Sequence, residues 1–141
     1  MKFFFFTSAL LSLLIQNLLA EDMQKKVQEQ NVQIVKLSAK EMSKNLPQKI
    51  DKYTILQNIK GKGTVLVYNF TINNQTKSDA SIQKEDHKRM QKAVTKGLCK
   101  SSKRFLQSGI GISYIYSSAK SKKLLFRFNI TKDNCHYSAL R

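Results

Sequence analysis

Two stretches decide the fold: residues 110–117, IGISYIYS, and residues 123–131, KLLFRFNIT. In the first, Ile110, Ile112, Tyr114 and Tyr116 fall on alternate positions; in the second, Leu124, Phe126, Phe128 and Ile130 do the same. A period of two puts such a set on one face of a β-strand, and the polar stretch Ser117–Lys122 joins the two as a hairpin. Upstream, residues 53–60 (YTILQNIK) and 64–73 (TVLVYNFTIN) read as a second pair of strands around Gly61-Lys62-Gly63, a short glycine-containing connection. Leu66, Tyr68, Phe70 and Ile72 share one face of the latter. Together these faces form an aromatic layer that has to be buried.

Between the two hairpins lies a polar loop, Asn74–Ser81, and then a helix over 82–99 with Ser81 or Asp79 as its N-cap. Its apolar stripe is Ile82, Met90, Val94 and Leu98. One further turn, Lys103–Ser108, starts from Ser101 or Ser102 and closes on Gly109, in the position after a helix that favours glycine. Before the strands, Val32, Val35, Ala39, Met42 and Leu46 recur at helical steps of three and four. They predict a helix over about 24–46, favoured over a short strand at Val32–Leu37, and stopped by Pro47 because the residue before proline avoids the α region. The expectation is an α+β domain over residues 21–141. A four-stranded antiparallel sheet of order α-β-β-α-β-β, with its second helix on the aromatic face, fills 53–135.

At the N-terminus, Lys2 precedes an apolar run from Phe3 to Ile15, Gln16 and Asn17 break it, and Ala20 is followed by Glu21 and Asp22. This reads as a signal peptide over 1–20. An uncleaved anchor is the alternative, but the run is shorter than the roughly 20 apolar residues a bilayer core requires. The expected location is periplasmic or secreted. There, Cys99 and Cys135 read as one disulfide rather than two buried thiols, contributing on the order of 3–4 kcal/mol by restricting the unfolded chain.

Charge narrows the partners. The chain carries 25 Lys+Arg against 9 Asp+Glu, a net +16. Such an excess either keeps the protein soluble or draws it to an anionic partner, an envelope protein or an anionic envelope component; export argues against nucleic acid. The alternation also sends Val65, Val67, Ile115 and Leu125 to the sheet's other face. The first helix covers them, or a partner or second copy does. Further along that face, Asn69, Thr71, Asn73, Arg127, Asn129 and Thr131 form a polar half.

Catalytic chemistry finds little support. His136 adjoins Cys135, but a cysteine in a disulfide is no nucleophile. His87 sits among charged residues of a solvated helix. Two Cys and two His without CxxC or HxxxH spacing do not make a metal site, so no metal or cofactor is expected. Asp51, Asp79, Glu85, Asp86 and Asp133 each lie near a turn or helix start and form no pair for acid–base work. Gly61-Lys62-Gly63 is a hairpin turn rather than a phosphate loop. Sequons occur at Asn69, Asn74 and Asn129, of which Asn69 and Asn129 are mid-strand.

The stretch Leu46-Pro47-Gln48-Lys49-Ile50-Asp51, the Lys-rich helix ending in Leu98-Cys99, the Gly111–Tyr116 strand and the closing Ile130-Thr131-Lys132-Asp133-Asn134-Cys135 resemble a group of small bacterial exported proteins. Its members carry an L-P-x-x-I-D motif, a Cys after a helix and a Cys after the last strand. The resemblance covers about 40–135, leaves the residues after Cys135 as an extra tail, and implies an envelope or secreted location. The function that follows is a non-enzymatic periplasmic or secreted binding protein with a cationic surface. An inhibitor or immunity-type protein acting on an envelope partner is one version. Alternatives are a structural subunit of an envelope assembly, with a homodimer as one form, and a small enzyme with its site at Asn69, Arg127 and Asn129.

Overall fold

A computed structural model describes the backbone of residues 4–137, with side chains from residue 20 onward. The chain divides into two units, Met1–Gln30 and Asn31–Arg141. Helix α1 runs Phe4–Met42, and its residues 31–42 belong to the second unit. Residues 1–3 of the expected signal peptide lie outside the described residues, as do the side chains up to residue 19.

The rest of the order is β1 Gln48–Lys49, β2 Thr54–Lys62, β3 Val65–Ile72, α2 Asp79–Ser101, α3 Lys103–Gln107, β4 Gly111–Ser118, β5 Leu124–Ile130 and a 3-10 turn, Lys132–Asn134. Both expected hairpins form, β2 with β3 and β4 with β5. The sheet corrects the expectation twice. It has five strands in the order β1-β2-β3-β4-β5, because Gln48 and Lys49 pair with Leu56 and Ile55. It is also mixed rather than antiparallel, since β3 and β4 run parallel from Val65↔Gly111 to Ile72↔Ser118. The physical reason is the connection. A chain that leaves one strand, crosses through helices and returns beside that strand arrives in the same direction.

Local chemistry sets the element ends. Ser78, one residue before Asp79 and three before Ser81, the two expected caps, caps α2 by accepting from the Ser81 N–H. Gly109 adopts a φ of +91° after α3, as the glycine position predicted. The β2–β3 turn falls later than expected: Gly61 and Lys62 belong to the strand, and Gly63 takes the left-handed conformation, φ +56°. Helix α1 ends four residues short of Leu46, with Ser43 Oγ bonding back to the Ala39 carbonyl at 2.7 Å and across to Ile59 at 3.0 Å.

All the cover lies on one face. Val35 and Ala39 of α1 join Leu56, Ile59, Leu66 and Phe70 in the core, and Met42 Sδ accepts from Tyr68 Oη at 3.3 Å. Ile82 and Leu98 of α2 and Leu106 of α3 are buried against the same aromatic layer. The first helix therefore does not cover the other face, contrary to expectation; its apolar stripe is spent on the aromatic side. Leu125 is a further correction. A β-bulge opposite Tyr116 and Ser117 inserts an extra residue, so Leu125 turns into the core and Leu124 stays exposed.

Cys99 and Cys135 form the expected disulfide, with their Cα atoms 5.5 Å apart. Tyr68, Phe70, Tyr114 and Tyr116 pack together across β3 and β4, Phe70 stacked on Tyr116 and the Tyr114 ring tilted against Tyr68 and Phe70, with ring centroids 4.6–4.9 Å apart. Burial raises the Tyr68 and Tyr116 phenols and pushes Tyr114 up to about 12.

Two outcomes follow. A Cβ at Gly61 would stand 2.9 Å from Val35 Cγ1. Gly61→Ala is expected to cost about 1–3 kcal/mol in urea unfolding, and Gly61→Ala with Val35→Ala to cost less than the sum of the two. The tyrosines predict alkaline unfolding. A raised acid pKa stabilises the fold fully below the unfolded value near 10, and that stabilisation drains as pH rises through the folded value. Titration at the tyrosinate absorption band should show no Tyr114 ionisation at pH 10 and loss of structure together with ionisation toward pH 12.

Candidate functional site: a lysine-lined groove beside the disulfide

Three surfaces compete for a function. The first is the uncovered sheet face, where Val65, Val67 and Ile115 are half-buried as outward-facing residues. Register decides what they form. Val67 stands beside Ser113, which stands beside Asn129; Asn69 stands beside Ile115, which stands beside Arg127. Apolar and polar side chains thus interleave, rather than separating into an oily half and a polar half. The polar groups serve one another: Asn69 Nδ2 donates to Asn58 Oδ1, Ser113 Oγ to Asn129 Oδ1, and Gln57 Nε2 to Thr71 Oγ1, each at 2.8 Å. Arg127 is exposed. The structure brings Arg127 beside Ile115 and Asn129 beside Ser113, but Leu125 is absent from this face.

The second surface is a cleft of about 250 Å³ over the aromatic layer, with Tyr68, Tyr114 and Tyr116 on one side and Met90 and Asp51 on the other. Asp51 organises its rim by accepting from the Tyr53 and Thr54 N–H groups, both at 2.8 Å. Partial burial acts to raise its carboxyl, but those hydrogen bonds, that of the Thr54 hydroxyl and the Lys49 charge outweigh it, and the net shift is downward.

The third surface carries most of the unusual chemistry. Lys84, Lys88, Lys92, Lys96 and Lys100 sit at successive fourth positions along α2, all exposed. Residues four apart on a helix are neighbours, about 6 Å apart along the axis, so the five form a ladder about 24 Å long. Like charges at this spacing destabilise a helix by about 0.2–0.5 kcal/mol per pair. Among the described residues, no ion pair offsets them. The α2 carboxylates are engaged elsewhere: Glu85 with Lys77, whose ammonium it holds above the usual lysine range, Asp86 with Arg89 at 2.7 Å, and Asp79 with Ser121. Between Asp86 and Asp133 the sequence contains no Asp or Glu.

Four rungs of the ladder, Lys88 to Lys100, line a groove of about 890 Å³. Lys103, Asn134, Cys135, His136 and Tyr137 complete the lining as a low second wall, and the groove is wide open to solvent. Several ties hold that wall. The disulfide links it to α2, Tyr137 Oη donates to the Cys99 carbonyl at 3.1 Å, and the Lys103 ammonium lies 5.5 Å from the Tyr137 ring centroid. Asn134 Oδ1 caps the preceding turn by accepting from the Thr131 N–H at 2.8 Å. In the sequence the lysines are spread out with no single long run. Their four-residue spacing was the signal that gathers them, and the groove's other wall depends on where the residues after β5 return.

Among the described residues, no group of three or more Cys, His, Asp or Glu side chains is placed to hold a metal ion, and no helix is long and apolar enough to cross a membrane. The fold is shared with solved structures of low sequence identity. A Pseudomonas aeruginosa protein provisionally described as secreted matches with a TM-score of 0.69 at 13% identity, over 78% of this chain and 96% of that one. EpsS, the pilotin of the Vibrio vulnificus type 2 secretion system, matches at 0.67 and 11%, over 81% and 99%. The Vibrio cholerae type II secretion pilotin AspS matches at 0.60 and 17%, over 79% and 98%. No curated protein matches the sequence. Residues 30–126, from the core-bearing end of α1 to the middle of β5, match one family, and the chain belongs to it: Domain of unknown function (DUF8479).

Proposed function

We propose that the protein is exported to the periplasm or beyond after cleavage at Ala20, and acts there as a non-enzymatic binding protein whose cationic surface engages an envelope partner. The observation that carries this reading is the lysine ladder of α2. It concentrates charge on one exposed line, at a cost in helix stability, with none of the ion pairs among the described residues offsetting it. Attraction to an anionic partner supplies the missing compensation. A disulfide beside the ladder suits an oxidising compartment. The fold, shared with two type II secretion pilotins and a protein described as secreted, supports an envelope setting.

The fold likeness also favours a second reading, a subunit of an envelope assembly. Sedimentation separates the two: a free binding protein runs as a monomer, whereas a subunit runs with its assembly.

Fractionation of expressing cells tests location. The protein should appear in the periplasm or medium with Glu21 as its N-terminus and should bind washed envelopes at low salt, coming off as salt approaches ~0.3 M, where exposed charges are screened. Recovery from the cytosol with Met1 intact overturns the reading. Reduction should lower stability by roughly 3–4 kcal/mol in urea titrations without shifting the folded-state far-ultraviolet spectrum.

A further inference from the structure

We infer that the groove between α2 and the Asn134–Tyr137 wall receives an extended, acidic polypeptide segment of a partner protein; this names the partner chemistry of the cationic surface and rests on that reading. Three observations favour a peptide chain over other polyanions. The first is spacing. The rungs of the ladder repeat about every 6 Å, and alternate side chains of an extended chain repeat about every 6.6–6.8 Å, so acids at every second residue meet successive lysines.

The second is shape. The lysines from Lys88 to Lys100 and residues Asn134 to Tyr137 line one open depression of about 890 Å³ that runs along α2. An extended chain can lie lengthwise along such a depression. The third is the chemistry between the charges. Gln91, Thr95 and Asn134 line the same groove. Amide side chains both donate and accept, as a peptide backbone requires, whereas phosphates and sulfates only accept. The disulfide and the Tyr137 ring add apolar surface for the stems of the bound side chains.

The test uses the chain as the cell processes it and a fluorescein-labelled peptide of alternating Glu and Ser, about twelve residues long, enough to span the ladder. Anisotropy at low salt should show saturable binding that weakens as salt rises. Lys92→Glu with Lys96→Glu should weaken it at least about tenfold, the order expected when attractive charge pairs become repulsive. Lys120→Glu with Lys122→Glu makes the same change in net charge outside the groove and should alter binding less than about threefold. Lys92→Arg with Lys96→Arg should retain it, and circular dichroism confirms that each variant is folded. Vesicles of phosphatidylethanolamine and phosphatidylglycerol, and a single-stranded oligonucleotide, are run alongside. If either binds while the peptide does not, or if both pairs of reversals weaken peptide binding equally, the acidic-segment inference fails while the cationic reading stands. If none of the three binds in a salt-dependent way, the cationic reading itself fails.

Discussion

The parallel pairing of β3 with β4 constrains everything else in this molecule. It requires the chain to leave the sheet after Ile72, cross one face and return at Gly111. That crossing places α2 and α3 on the aromatic face, where β5 and the packed tyrosines need cover. Residues 31–42 of α1 fill the remainder of the same face over β2 and β3. With the helices of this unit committed to one side, the opposite face presents its mixture of polar and apolar side chains outward. Val67 and Ile115 there each have polar neighbours on the adjoining strands, Ser113 for the one and Asn69 and Arg127 for the other, which limits any continuous oily patch.

The same arrangement explains why α2 bears the charge. One stripe of α2, Ile82 to Leu98, is used for burial, and Met90 and Val94 pack between them. The opposite stripe has no neighbour from the sheet, and the lysines occupy it. Cys99 lies at the boundary between the two stripes, near the helix end. The segment that follows β5 therefore folds back along the charged side of the helix. A groove results, although neither wall is itself a designed pocket: one is a solvated helix face and the other a short turn tied to it.

Much of this was legible beforehand, for definite reasons. Period-two runs such as Leu66–Ile72 and Leu124–Ile130 marked strands because one face is buried and one is not. The stripe from Val35 to Met42 marked a helix in the same way. The pairing direction of β3 and β4 was less legible, since side-chain alternation is identical in parallel and antiparallel strands; only the long helical connection carried the information. Strand β1 has two residues, too few for any periodicity. Leu125 defied alternation because a bulge changes parity locally without altering composition. At the site, both cysteines could be paired by compartment and count. The outer-face residues Val65, Val67 and Ile115 were placed correctly as outward-facing, but their neighbours across the sheet depend on register. The lysine spacing was present in the sequence, yet the groove it lines requires the return path of residues 134–137.

The bridge between Cys99 and Cys135 gives that return path a dependence on redox state. In a reducing space the covalent tie is missing, and the turn is held to α2 mainly by the Tyr137 hydroxyl and the cation over its ring. Oxidation adds a covalent tie to those contacts. Whether that turn is fixed covalently thus depends on the thiol chemistry of the space in which the chain folds.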